Sequence, residues 1–295
     1  MSRVFQALTA EPWAIEPSWL AMLAALAQRD HSAPEVEAMK GWQARDYDLL
    51  AGPGAQRLAG AQRAFVIDGV AVIPIMGPIF PRANMMTEMS GATSVSMLQN
   101  DHRVAMANPD VFAILPLFDT PGGQVSGIAS FHDTLAAGAK LKPTVAHVAG
   151  SAASAGYWIA SAANEIAVER TSILGSIGVV AAVPKQVAPD DKGVMAIEIV
   201  STNAPKKRLD PETDDGQADI RSYLDAIETH MIADIAKGRK TTAARVIADF
   251  GQGGVKVGAD AKSAGMADKV QSYETTLGQL RRIAANQRKL TALKT

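Results

Sequence analysis

Ser154 is the residue whose surroundings best suit nucleophilic chemistry. It stands among small residues in Gly150–Ala160, between a predicted buried strand at Pro143–Val148 and an alanine-rich segment, Tyr157–Ala163, that favours a helix. A serine at such a junction exposes its hydroxyl, while the amide groups at the positive helix end face whatever it attacks. Small residues between a strand and a helix also serve close packing, with serine as an N-cap, and this alternative stays open from these residues alone.

A second candidate is the turn Pro121–Gly123, which follows an apolar run. It lacks the glycine, lysine and serine or threonine spacing of a phosphate-binding loop. Two interpretations remain. One is a plain tight turn. The other is an oxyanion hole, in which the absence of side chains brings a backbone N–H close to a substrate carbonyl.

A serine nucleophile needs a base. The histidines are His31, His102, His132, His147 and His230. His147 falls in a predicted core strand and His132 in a predicted helix, so both are interpreted as structural. The alternative base is a lysine kept neutral by burial, because desolvation lowers a lysine pKa. Lys206 and Lys207 follow an apolar segment, although a run of charges is more often a solvated surface.

Strands alternating with helices would position these residues. A strand is predicted in the apolar run Val70–Ile79, where the Gly77-Pro78 turn ends it. Further strands are predicted at Val111–Phe118, Pro143–Val148, Glu165–Val168, Ile177–Val183 and Met195–Val200. Helices are predicted between them, from Thr93 or Ser94 to Met106 and from Val125 to Ala139. This order indicates an α/β core with right-handed crossovers. Ser154 and the Gly-Gly turn both follow strand ends, where ligands of such sheets bind.

Flanking segments are predicted to be helical. Helices are expected at Pro17–Gln28 and Pro34–Leu50, as a docking or oligomerisation arm. After the core, the pattern predicts a long amphipathic helix at Asp214–Arg239, a helix ending at Phe250, and a basic helical tail from Glu274.

Composition restricts the class of protein. The chain has 295 residues, 47% hydrophobic residues, a net charge of −1 and no cysteine. This excludes a disulfide framework and a thiolate metal site, and it gives no electrostatic footprint for nucleic acid or a membrane surface. The first twelve residues make a poor signal peptide, and the apolar windows are shorter than the ~20 residues of a membrane helix. We therefore expect a cytoplasmic protein.

Four segments together resemble the signal peptide peptidase A family of serine peptidases, and in particular its phage-encoded head maturation branch. They are Asp119–Gly123, Ser151–Tyr157, Thr171–Val179 and Asn203–Lys206. The similarity runs from roughly Val70 to Val270. It implies an α/β fold with the spiral β-β-α core of Clp protease and the crotonases.

The resemblance implies a Ser-Lys dyad in which Ser154 is the nucleophile and Lys206, 52 positions later, is the general base. It also implies an oxyanion hole formed by the backbone N–H groups of Gly123 and Ala155, and a role for Ser176 in orienting the lysine. Two departures from the family pattern are Ala155, where glycine is common, and the approach to the lysine, which leaves Lys207 as an alternative base.

The same resemblance implies residues 1–62 as an N-terminal helical extension, residues 63–270 as the catalytic core and residues 271–295 as a C-terminal helical tail. We expect a homo-oligomer that cleaves extended polypeptides, such as phage capsid or scaffold proteins, in the host cytoplasm or the prohead. No cofactor, metal, nucleic acid or membrane partner is implied. The alternative is a non-catalytic assembly protein that retains the fold.

Overall fold

The computed structural model describes residues 11–16, 18–20, 23, 54–83, 92–183, 188–189, 193, 195, 197 and 199–293. The predicted helix at Pro34–Leu50 lies outside these residues. Residues 18–20 and 23 are helical, as expected for the first predicted helix.

Strands and helices alternate along the chain. In chain order the elements are β1 (Trp13–Ile15), β2 (Gln56–Arg57), β3 (Phe65–Ile67), β4 (Val70–Met76), β5 (Ile79–Phe80), β6 (Thr93–Ser94), α1 (Val95–Ala107), β7 (Ala113–Thr120), β8 (Gly122–Gln124), α2 (Ile128–Ala139), β9 (Val145–Ala153), α3 (Ala155–Ala160), β10 (Glu165–Val168), β11 (Ile173–Gly175), a 3-10 turn (Pro205–Lys207), α4 (Asp214–Gly238), α5 (Ala243–Asp249), β12 (Val255–Val257), α6 (Gly258–Ser263), β13 (Lys269–Val270) and α7 (Tyr273–Ala292).

Two sheets make up the core. The larger follows the order β12-β11-β9-β7-β4-β3-β2, with β10 and β13 branching from β9, and the smaller follows β1-β8-β5-β6. Pairing is parallel through β4, β7, β9 and β11. The chain passes from β4 to β5 and from β7 to β8 through one short turn each, and a helix follows each pair. This is the predicted α/β class with a spiral β-β-α core.

Both faces of the large sheet are covered, which explains its nearly continuous apolar strands. Alternate residues of β4 point to opposite faces. Ala71, Ile73 and Ile75 join the cluster beneath α1, α2 and α3. Val70 and Val72 pack against the side of α7 that carries Leu277, Leu280 and Ala284. The predicted C-terminal helix is confirmed, and it buries one face of the sheet.

Local signals set several helix ends as expected. Ser94 caps α1 by accepting the Met97 N–H, and Thr242 caps α5 by accepting the Arg245 N–H. The long helix α4 matches the predicted span. Its last turns bury Met231 and Ile235, whereas Tyr223 in its first half is 56% exposed. None of the helices in the described part of the chain combines the length and apolar character that a bilayer span requires.

Two strand predictions are wrong. Ile177–Val183 forms no strand, and its Val180 makes an isolated antiparallel bridge to Trp13. Gly178, at φ +151°, interrupts the extended path there. In the predicted strand Met195–Val200, the described residues pair with no other strand, and Ile197 and Ile199 are 87% and 91% exposed. β-branched residues favour an extended backbone, but a strand also needs a partner.

Candidate active site

Ser154 occupies a sharp turn between β9 and α3. Its backbone has φ +52° and ψ −116°, a conformation that side-chain-bearing residues seldom adopt. Hydrogen bonds hold it from both sides, because the Ser154 N–H donates to Gly175 O at 2.7 Å and the Trp158 N–H donates to Ser154 O at 2.9 Å. A strained strand-to-helix turn of this type aims a nucleophile out of the sheet.

The Ser154 hydroxyl has a main-chain partner. It donates to the Gly178 carbonyl at 3.3 Å, which is long for an O–H···O bond, and Ser154 is fully buried. Among the residues that the structure describes, no side-chain base forms a hydrogen bond with the Ser154 hydroxyl.

Gly122 and Gly123 were predicted in a turn, but they form the start of strand β8, which pairs with β1 and β5, and Gly122 lies directly against Ser154. A Cβ built on Gly122, which has φ +102°, would stand 3.0 Å from Ser154 Cβ and 2.2 Å from Ala14 O. A Cβ on Gly123 would stand 2.0 Å from Ile79 O. Neither position has room for a side chain. This close packing places Gly122 against Ser154 and Gly123 against Ile79.

Ala155 is the first residue of α3, so its N–H is one of those left without an intrahelical acceptor. The next residue, Gly156, lies against the end of β7, and a Cβ there would be 2.5 Å from Thr120 Cγ2. Thr120 itself is fixed, since its hydroxyl donates to Gly77 O at 2.6 Å. Close packing thus brings the start of α3 against the β7–β8 turn.

Ser176 follows β11 and is buried, and the residue before it, Gly175, accepts the Ser154 N–H. Gly175 pairs with Ala153 of β9, and the Ser176 N–H donates to Gly254 O at 2.8 Å. Its φ of +51° is left-handed. The structure therefore brings together four of the predicted site residues: Ser154, Gly123, Ala155 and Ser176.

Lys206 lies apart from this group. It sits in the 3-10 turn with its side chain 76% exposed, and its Nζ is 2.7 Å from Asp219 Oδ1 on α4. Its neighbour Lys207 is also exposed. In the part of the chain that the structure describes, neither lysine forms a hydrogen bond with Ser154.

The histidines interpreted as structural are buried. His147 is fully buried, its Nδ1 lies 2.9 Å from Thr276 Oγ1, and burial lowers its pKa. His132 lies near Asp133 and Asp234, a group whose ligand atoms are close enough to hold a metal ion. Asp234 already accepts the Trp158 indole N–H at 2.9 Å, and Asp133 is 73% exposed.

Two features near the site were missed by the sequence interpretation. One is Glu228 of α4, whose carboxylate would be 3.4 Å from a Cβ on Gly178 and whose pKa is raised by burial and by Asp225. The other is β1, which pairs with β8 although the N-terminal segment was expected to be a helical arm. The short apolar run of Trp13, Ala14 and Ile15 was the available signal for this strand.

Comparison with known proteins gives consistent matches. Residues 136–288, just over half of the chain, match the family model of Peptidase family S49. Capsid assembly protease C of Escherichia phage lambda is 30% identical over 208 residues, covering 70% of this chain and 47% of that protein. Head-tail preconnector protein GP5 of Enterobacteria phage P21 is 28% identical, covering 61% of this chain and 36% of that protein.

Protease 4 of Haemophilus influenzae is 26% identical and covers 76% of this chain and 36% of its own length. The chain thus spans between about a third and a half of the length of these relatives.

Proposed function

The chain belongs to peptidase family S49, whose fold is the Clp protease/crotonase-like one, and we propose that it is a serine endopeptidase with Ser154 as nucleophile and Lys206 as general base. The observation that carries the proposal is the strained turn at Ser154, packed directly against Gly122 at the start of β8. A buried serine in a costly conformation beside close-packed backbone is expected where a nucleophile and an oxyanion hole must meet.

In the proposed mechanism, Ser154 Oγ attacks the scissile carbonyl while neutral Lys206 takes its proton. The N–H groups of Gly123 and Ala155 stabilise the oxyanion. The protonated lysine then donates to the leaving amine, and water hydrolyses the acyl-enzyme by the reverse transfers. Ser176, which is buried, would orient the lysine amine through a hydrogen bond to its hydroxyl.

This mechanism requires Lys206 to leave Asp219 and to form a hydrogen bond with Ser154 instead. The ion pair is largely exposed, and exposed pairs of this kind contribute about 0–1 kcal/mol, so its loss costs little. The lysine then approaches a Ser154 either in its own chain or in a second copy, which fits the expected homo-oligomer.

The proposed substrates are extended polypeptides, and phage capsid or scaffold proteins in particular. Support comes from the names of the relatives, a capsid assembly protease and a head-tail preconnector protein. The place of action would be the host cytoplasm or the prohead. We also propose residues 63–270 as the catalytic core, between an N-terminal extension (1–62) and a C-terminal tail (271–295).

The test is intact-protein mass spectrometry after exposure to a fluorophosphonate. A single adduct is expected on wild type and on the matched control Lys207→Ala, and no adduct is expected on Ser154→Ala or Lys206→Ala. Circular dichroism verifies that each variant is folded. Labelling that persists in Ser154→Ala would refute the nucleophile. Labelling that persists in Lys206→Ala but stops in Lys207→Ala would identify Lys207 as the general base.

The second candidate is a non-catalytic assembly protein that retains the fold. The observation favouring it is that Lys206 pairs with Asp219 instead of Ser154. Folded protein that assembles but takes up no adduct, and cleaves no unfolded polypeptide, would select this alternative.

A further inference from the structure

The strand β1 lies beside Ser154 between two extended segments of the core. On one side it pairs with β8, with Ala14 opposite Gly123. On the other side Trp13 and Val180 exchange two backbone bonds, each 2.8 Å. Main-chain pairing of this kind is also how extended peptides bind when they add a strand to a sheet, and here it holds β1 on both sides.

The register pairs the Ala14 carbonyl with the backbone N–H of Gly123, the proposed oxyanion-hole donor. The Val125 N–H donates to Pro12 O at 3.2 Å, and the Glu16 N–H donates to Pro121 O at 2.9 Å. Hydrogen-bonded pairs alternate along an antiparallel ladder, so Ala14 and Gly123 form the bonded pair between these two. In that pair the Gly123 N–H donates to the Ala14 carbonyl. The close approach of Ala14 O and Ser154 Cβ to the same point beside Gly122 agrees with this placement.

Side chains anchor the strand on both sides of Ala14. Trp13 is fully buried and meets Phe80 edge to face, with ring centroids 5.6 Å apart. Ile15 is buried in the same small cluster, which Leu23 and Ala92 complete. The N-terminal segment therefore fills an apolar pocket with Trp13 and fixes the backbone that follows. Anchoring on both sides of one carbonyl retains the strand in the site.

We propose that the cleft between β8 and Val180 is a binding site for an extended peptide strand, and that its occupant is residues 12–16 of the chain itself. The competition of this segment with polypeptide substrates rests on the proposed function. The binding of a peptide strand in the cleft does not depend on that function. Because the segment is tethered, its effective concentration is high, on the order of millimolar for a flexible tether. A peptide in solution reaches the cleft only in the fraction of molecules whose strand has left.

The first measurement is direct peptide binding to the full chain. A fluorescent peptide with the sequence of residues 11–18 is titrated into wild type, Trp13→Ala and Trp19→Ala, with fluorescence anisotropy as the readout. Trp13→Ala weakens the tethered strand and leaves the pocket for the tryptophan of the peptide. Trp19→Ala is the matched control, since Trp19 packs against the same cluster outside β1.

The peptide is expected to bind Trp13→Ala at least about tenfold more tightly than wild type or Trp19→Ala. A peptide carrying alanine in place of the tryptophan should lose this gain. Equal affinity for wild type and Trp13→Ala, or no binding to either folded protein, would overturn the proposal. If Trp13→Ala fails to fold, Ala14→Pro replaces it, because proline removes the N–H through which Ala14 pairs with Gly123.

The rate of fluorophosphonate labelling at Ser154 separates the two proposals. Faster labelling of Trp13→Ala, slowed again by the peptide, supports both. Peptide binding as expected with an unreactive Ser154 leaves the cleft assignment standing and refutes the chemistry. A reactive Ser154 whose labelling is the same in wild type and Trp13→Ala supports the chemistry and refutes occupancy of the cleft by β1.

Discussion

The strained backbone at Ser154 predicts that glycine is tolerated there far better than at an unstrained serine of the same helix. Ser154 has φ +52° and ψ −116°, whereas Ser161 at the other end of α3 has φ −63° and ψ −17°. Both serines are fully buried, and each donates its hydroxyl to a backbone carbonyl. The two positions therefore differ chiefly in the strain of the backbone.

The size of the effect follows from comparing glycine with alanine at each position. Both variants at a position lose the hydroxyl, so that loss cancels. Relative to alanine, glycine costs roughly 0.5–1 kcal/mol of backbone entropy and about 0.8 kcal/mol of methyl burial at either position. At Ser154, glycine also relieves strain of about 1–3 kcal/mol. The glycine-minus-alanine difference should thus be about 2 kcal/mol more favourable at Ser154 than at Ser161.

Urea unfolding followed by far-UV circular dichroism gives the free energy of unfolding for Ser154→Gly, Ser154→Ala, Ser161→Gly and Ser161→Ala. Glycine should be close to alanine in stability at position 154 and clearly less stable at position 161. Equal glycine penalties at the two positions would mean that the turn stores no strain. The argument for a purpose-built nucleophile turn would then fail.

Two further predictions concern stability. Burial and then the charge of Lys142 lower the pKa of His102 to about 4, so the unfolded chain binds the proton first and stability falls as the pH drops from about 6.5 to 4. Between pH 7 and pH 4, the free energy of unfolding measured in urea titrations should fall by about 3 kcal/mol less for His102→Leu than for wild type. The control His230→Gln, on the helix surface, should show the same fall as wild type. Gly156→Ala should destabilise by about 1–3 kcal/mol through its clash with Thr120 Cγ2, and Thr120→Ser, which removes that methyl group, should restore most of the loss in thermal unfolding. Additive effects of these two substitutions would contradict the clash.

The sequence predicted the fold class well because its signals are local and periodic. Apolar runs such as Val70–Met76 are continuous because both faces of the sheet are covered, and caps such as Ser94 mark helix starts. The strands predicted at Ile177–Val183 and Met195–Val200 were wrong for one common reason. Extended propensity is a property of the residues, whereas a strand depends on a partner that the sequence does not identify.

At the candidate site, small residues were informative and charged ones were not. Glycines around Ser154 mark close approach of backbones, at Gly122 to Ala14 and at Gly123 to Ile79. The contact of Ala14 with Gly123 joins residues more than a hundred positions apart. No local pattern encodes such a pairing, so β1 was predicted as part of a helical arm.

The position of Lys206 follows from the same distinction. A lysine has a long flexible side chain, and an exposed ion pair such as the one with Asp219 contributes little to stability. The sequence around Lys206 therefore does not direct its side chain to Ser154. The serine, by contrast, is fixed by backbone bonds to Gly175 and Trp158 and by the lack of space at Gly122. The part of the proposed dyad that costs strain is therefore built into the single chain. In the proposed mechanism, the part that costs little is supplied when a substrate or a second copy brings the lysine to the serine.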